Sequence, residues 1–71
     1  MEYAMVDWNG LAERATGMSD AALRGAIKDA SLAAKAAWDL ERAGNAVSKS
    51  QGYYHDEISV FRTELSRRGL V

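Results

Sequence analysis

A stripe made mostly of alanine sets the strongest limit on what this chain can fold into. On a helical wheel of about 100° per residue, five positions of the second predicted helix share one face: Leu23, Ile27, Ala30, Ala34 and Ala37. Because alanine side chains are short, another helix can approach this face closely. The stripe therefore predicts a long helix packed tightly against a helical neighbour.

Capping signals delimit the helices around this stripe. We expect helices over about residues 7–16, 20–43 and 49–68. Asp7 and Ser19 are residue types that accept hydrogen bonds from the first backbone amides of a helix. Gly17 and Gly44 suit the position just past a helix end. These four residues set the limits of the first two helices.

The third helix is predicted from one clean apolar face. Residues with the spacing i, i+4, i+7 and i+11 form that face: Tyr54, Ile58, Phe61 and Leu65. Ser48, with Gln51 three residues later, matches a capping box, and Ser50 is the competing N-cap. Gly69 is predicted to end the helix.

Composition points to one all-α domain, residues 1–71. The chain has 71 residues, no cysteine and no proline. A core this small usually needs a disulfide, a metal or a partner subunit, and disulfides are excluded here. We expect a short N-terminal helix followed by a long antiparallel helical hairpin, which pairs into a helical-bundle oligomer, most simply a dimer.

Charge and hydropathy argue against several classes of protein. The net charge is −1, whereas nucleic-acid binders are usually basic. No apolar run approaches the roughly 20 residues that a membrane span needs. The N-terminal sequence lacks the charged flank and apolar core of a secretion signal, so the expected location is the cytoplasm.

The only histidine lies in the run Tyr53-Tyr54-His55-Asp56-Glu57, which looks like a site at first sight. On a helix these neighbours diverge by about 100° and do not converge on one point. Ile58 and Ser59, which share a face with His55, supply no metal ligand or catalytic base. We therefore predict no catalytic residue, no metal site and no cofactor, and interpret the run as the first turns of a helix.

Five residues off the core faces are predicted to bind a partner: Tyr53, Val60, Leu32, Arg62 and Arg67. Tyr53 and Val60 share a flank of the third helix, which is either covered by the N-terminal segment or open to a partner. Leu32 lies opposite the alanine stripe, where it is either a lone exposed leucine or part of a second interface.

The charged residues of the third helix are interpreted as a solvated face. Arg62, Arg67 and Arg68 are interrupted by Glu64, which weakens the case for phosphate contacts. Two i, i+4 surface pairs are expected, Glu64–Arg68 and Asp20–Arg24. Glu41 falls on the apolar stripe and is either hydrated or in a polar contact across the hairpin.

Two segments carry a resemblance to a group of known proteins. The stretch SDAALRGAIKDASLAAKAAWDLERAGN followed by KSQGYYHDEISVFRTELSRRG, residues 19 to 69, resembles small helical-hairpin accessory proteins of bacteriophages and mobile elements. The resemblance implies a stoichiometric inhibitor of a host defence complex, as anti-CRISPR proteins are. It assigns no functional residue.

The leading functional hypothesis is a non-enzymatic protein–protein interaction module. The alternatives are a dimeric nucleic-acid-binding regulator and a small-ligand or nucleotide sponge at an oligomer interface. Salt-dependent DNA binding would favour the regulator. A ligand-induced rise in melting temperature would favour the sponge.

Overall fold

The computed structural model describes residues 7–70, and this part of the chain is all-helical, with three helices and no strand. The helices are α1 (Trp8–Thr16), α2 (Asp20–Arg42) and α3 (Gln51–Arg67). The all-α class is therefore confirmed. Each helix begins and ends within two residues of the bounds predicted from its capping signals.

Helices α2 and α3 lie side by side and run in opposite directions. At one end Arg68, just past α3, forms an ion pair with Asp20 at the start of α2. At the other end Trp38 of α2 and Gln51 of α3 line the same depression. We call this pair of helices the α2–α3 layer. Helix α1 packs against α3 near the end of the layer that contains Asp20.

The large buried side chains are concentrated where α1 covers the layer. The core cluster there consists of Leu11, Ala15, Leu23, Val60, Phe61 and Leu65. Farther along α2 the buried residues are all alanines, at positions 30, 34 and 37. The alanine stripe thus brings α2 and α3 together as expected, but it fills that part of the core with small side chains.

The first two helices begin at the predicted caps. The Asp7 carboxylate accepts a hydrogen bond from the Gly10 amide at 3.1 Å, and Ser19 Oγ accepts one from the Ala22 amide at 3.0 Å. The cap also explains why Gly10 stands inside a helix. A Cβ at Gly10 would lie 2.6 Å from Asp7 Oδ2, so only glycine leaves the capping carboxylate in place.

Helices α2 and α3 both end in a Schellman motif. Gly44 and Gly69 adopt positive φ values of 86° and 79°, which glycine reaches without steric cost. Beyond Gly69, the Leu70 amide donates to the Leu65 carbonyl oxygen at 2.9 Å. This is the i to i−5 bond of the motif, so the ending predicted for the third helix is confirmed.

Two details of α3 differ from the sequence-based prediction. The N-cap is Ser50 and not Ser48, and its side chain makes no capping hydrogen bond. Of the two N-caps that the sequence left open, Ser50 is the one observed, and the capping box of Ser48 and Gln51 does not form. Tyr54 is half-buried rather than a core residue, because it lies near the start of α3, where the neighbouring face of α2 is alanine.

The facing of α3 can be tested by two substitutions. Phe61 is buried in the core cluster, so Phe61→Ala should lower the free energy of unfolding by roughly 3 to 5 kcal/mol. Thr63 is exposed, and Thr63→Ala should change it by less than about 0.5 kcal/mol. Urea unfolding followed by circular dichroism measures both values. Equal stability of the two variants would contradict this packing.

Candidate functional site

The Arg68 guanidinium joins the ends of all three helices. Its Nε donates to Glu64 Oε2 of α3 at 2.7 Å, and its Nη1 donates to Asp20 Oδ1 of α2 at 2.7 Å. Its Nη2 donates to carbonyl oxygens at and just after the end of α1, those of Ala15, Thr16 and Met18. One planar side chain therefore satisfies acceptors that the end of α1 leaves without intrahelical partners.

Glu64 lies at the centre of this network and is buried, with an exposed fraction of 6%. Arg67 donates to both of its carboxylate oxygens, and Arg68 donates to Oε2. Hydrogen bonds from Arg67 and then from Arg68 lower the pKa of Glu64 from 4.5 to about 2. The buried carboxylate therefore holds Arg68, whose Nη2 donates to the carbonyl oxygens at the end of α1.

This network corrects the interpretation of the charged face as solvated. The Glu64–Arg68 pair forms as expected, but the Glu64 carboxylate is buried and not hydrated. Asp20 pairs with Arg68 instead of Arg24, whose Nη2 lies 3.5 Å from the Leu70 carbonyl oxygen. The sequence could not show this because Arg68 and Asp20 are 48 residues apart and meet only in the folded chain.

Tyr53 is half-buried and packs against the core cluster. Its ring lies edge-on to that of Tyr54, with 5.6 Å between centroids, and Lys49 Nζ stands 4.7 Å from the Tyr53 ring centre. The N-terminal segment that was expected either to cover this flank or to leave it open lies outside the described residues. The intermediate burial of Tyr53 leaves part of its side chain exposed.

The other predicted partner-binding residues do not form one surface: Val60 and Arg67 lie close together on α3, whereas Leu32 is on α2. Val60 is only 8% exposed and belongs to the core cluster with Leu11 and Ala15, so of the two alternatives for its flank the structure has the covered one, and α1 covers it. Leu32 is 61% exposed on the outer side of α2. Arg62 is exposed on α3, and Arg67 is exposed while holding Glu64. Leu32 thus lies on a different helix and a different side from Arg67.

A largely apolar opening lies between α1 and α3, and we call it the Trp8 groove. Its volume is about 500 Å³. Ten residues line it: Trp8, Asn9, Ala12, Ala15, Thr16, Ser59, Val60, Thr63, Glu64 and Arg67. Trp8 is 49% exposed on its wall, and Val60 and Arg67 are the predicted residues that contribute to it.

The two tryptophans are the surface residues that sequence reasoning undervalued. Neither was among the predicted partner-binding residues, yet Trp8 and Trp38 are about half exposed, at 49% and 46%. Tryptophan contributes more binding energy per residue than most side chains, so half-exposed tryptophans mark candidate contact surfaces. The amphipathic pattern alone places Trp38 at the edge of its stripe, and that edge position was the available signal.

The chemistry of the groove suits the burial of an apolar side chain. Both oxygens of its one carboxylate, Glu64, accept hydrogen bonds from arginines. His55 is exposed elsewhere, and residues 7–70 contain no group of three side chains placed to hold a metal ion. None of the described helices is both long and apolar enough to cross a membrane.

Comparison with known proteins assigns no family to this chain. No protein-family model, no curated protein and no solved structure matches the chain.

The buried carboxylate predicts a specific pH dependence. Because folding lowers the pKa of Glu64, its stabilising contribution is complete above about pH 4.5 and is lost as the pH falls toward 2. The melting temperature of Glu64→Gln should therefore lie well below that of the unmodified chain at pH 7, and the gap should narrow below pH 4.5. Thermal unfolding followed by circular dichroism measures this gap.

Glu13→Gln provides the matched control, because Glu13 is exposed on α1 and makes no ion pair with another described residue. This variant removes the same charge and should shift stability by less than about 0.5 kcal/mol. A gap for Glu64→Gln that stays constant with pH would contradict the buried network.

The prediction that the chain has no metal site can be tested by thermal unfolding in the presence of metal ions. Excess zinc, nickel or manganese should leave the melting temperature unchanged, since a metal that binds only the folded chain must raise it. His55→Ala should melt like the unmodified chain, because His55 is exposed. A metal-dependent rise that disappears in His55→Ala would make the histidine run a site.

Proposed function

We propose that this protein is a non-enzymatic protein–protein interaction module that holds an apolar side chain of its partner in the Trp8 groove. The observation that carries the proposal is the half-exposed Trp8 on the wall of an apolar groove of about 500 Å³. Interfaces typically place aromatic anchors at the centre and polar groups at the rim. Asn9, Ser59 and Thr63 provide hydrogen-bonding groups of the kind found at such a rim.

The binding free energy gained by covering the exposed part of Trp8 is large enough for an interface hot spot. A tryptophan side chain buries roughly 150 to 250 Å², so the exposed half represents about 100 Å². Covering that area should contribute about 2 to 3 kcal/mol at roughly 25 cal/mol per Å². This is the size of effect that defines an interface hot spot.

The arginines of the third helix support nucleic-acid binding less well than the Trp8 groove supports protein binding. Arg67 and Arg68 both donate hydrogen bonds to Glu64, and Arg68 also pairs with Asp20. A phosphate would have to compete with these carboxylates, which leaves Arg62 as the third-helix arginine with no ion pair among the described residues. One such arginine is a weak electrostatic basis for binding a polyanion.

The resemblance to phage and mobile-element accessory proteins makes the proposal more specific. On that basis we propose that the partner is a component of a host defence complex and that inhibition is stoichiometric, in the host cytoplasm. The Trp8 groove would act by occupying a surface that the complex needs. No step of this mechanism requires a cofactor.

The groove is tested by capture of partners from a bacterial lysate on the immobilised protein. Trp8→Ala removes the anchor, and Ala12→Arg places a long side chain over the groove from an exposed position of α1. Both variants should lose at least about 90% of a specifically captured protein, since the loss of about 1.4 kcal/mol is tenfold in affinity.

Trp38→Ala is the matched control, because it removes a tryptophan of similar exposure from another surface. It should retain heterologous capture. Circular dichroism at 222 nm establishes that each variant remains helical. Equal capture by the Trp8→Ala variant and the unmodified protein would contradict the groove as the binding site.

A further inference from the structure

The far half of the α2–α3 layer is thin and lacks large buried side chains on α2. By length, α1 spans about 14 Å and α2 about 34 Å, so α1 covers less than half of the layer. The molecule is elongated and flat, with principal-axis extents of 40 × 22 × 14 Å. The buried residues of α2 beyond Leu23 are alanines, while Trp38 remains 46% exposed.

One surface of this half combines a protruding aromatic with a depression, and we call it the Trp38 face. Six residues line the depression: Ser31, Ala34, Lys35 and Trp38 of α2, with Gln51 and His55 of α3. Its volume is about 290 Å³. Ala34 lies one helical turn before Trp38 and is buried, so a small side chain stands beside the large one.

We propose that the Trp38 face binds a second copy of this chain in a two-fold symmetric dimer. In such a dimer the same patch meets itself, so a patch must contain both a projection and a space to receive it. The Trp38 face meets this requirement, because each Trp38 would enter the depression beside the other copy's Trp38. Two two-helix layers stacked in this way make a four-helix arrangement, which buries the thin half of each layer.

Charge on this face favours self-association over an acidic or basic partner. Lys35 Nζ lies 3.5 Å from Asp39 Oδ2, so the one lysine of the face is already paired within its own helix. The net charge of the chain is −1, so two copies repel each other only weakly. Ser31, Gln51 and His55 supply both donors and acceptors, which can pair across a two-fold axis.

The size of the face sets the expected strength of the dimer. A standard interface covers about 800 Å² per partner, which would be about one sixth of this chain's 4968 Å² surface. The Trp38 face occupies only the far half of the layer, so the dimer should be weak. We expect a dissociation constant on the order of 10 µM, in the range where dilution separates the copies.

Sedimentation equilibrium from about 1 to 200 µM tests the dimer directly, a range chosen to bracket that dissociation constant. The mass should rise from 7.7 kDa toward twice that value. Trp38→Ala should weaken association at least tenfold. Ser31→Arg, at an exposed position across the depression, should do the same by placing like charges against each other.

Two variants serve as controls. Leu32→Ala changes an exposed leucine that follows Ser31 in the sequence but lies on the outer side of α2. Trp8→Ala changes the other half-exposed tryptophan. Both should dimerise normally, and circular dichroism verifies that all four variants are helical. In a Trp8→Phe protein, the fluorescence of Trp38 should shift to shorter wavelength as concentration rises.

Three results would overturn the proposal: a mass of 7.7 kDa at every concentration, a dimer unaffected by both Trp38→Ala and Ser31→Arg, or a dimer lost in Leu32→Ala alone. The outcome is separable from that of the proposed function. Partner capture depends on Trp8 and is read from lysate, whereas self-association depends on Trp38 and is read from the mass of the pure protein.

Discussion

The Arg68 guanidinium is the contact on which the arrangement of the three helices depends. Helix α1 has nine residues, too few to be stable alone in water, and its buried residues are Leu11 and Ala15. Arg68 donates hydrogen bonds to the end of α1, and the same guanidinium donates to Asp20 of α2 and Glu64 of α3. The position of α1, and with it the Trp8 groove, is therefore set by a side chain of the opposite terminus.

This anchoring divides the molecule into two unequal halves. Where α1 is held, leucines and Phe61 form a core of ordinary large side chains. Beyond it, alanines allow α2 and α3 to approach closely, but they bury little apolar area per residue. The same alanines that set the close packing therefore leave Trp38 with too few neighbours to cover it. Exposure of Trp38 is a physical consequence of that packing.

Capping rules that use only neighbouring residues predicted the helix ends of this structure. Asp7, Ser19, Gly44 and Gly69 act at helix ends through backbone groups a few residues away, and the sequence contains all that is needed to place them. Spacing alone places Ile58, Phe61 and Leu65 on the buried face of α3. Residue type could not distinguish Ser48 from Ser50 as the N-cap of this helix. The surroundings of Val60 and Glu64 depend on where α1 docks.

That docking is a long-range result of Arg68 meeting Asp20 and the end of α1, which no window of the sequence shows. A helical wheel places Glu64 beside the apolar face, but it cannot say that a third helix will bury it. The Trp8 groove was missed for the same reason, since its two walls come from α1 and α3. Tertiary contacts decided each of these positions.

The two tryptophan surfaces lie on different parts of the fold, so they can act together. Trp8 stands between α1 and α3, whereas the depression beside Trp38 is lined by α2 and α3 with no residue of α1. A second copy bound at the Trp38 face would leave both Trp8 grooves accessible. The resulting dimer would present two equivalent grooves, and a partner with repeated subunits could engage both at once. The affinity of one groove for one partner subunit is the same in the monomer and in the dimer, because no residue that lines the Trp8 groove lines the depression of the Trp38 face.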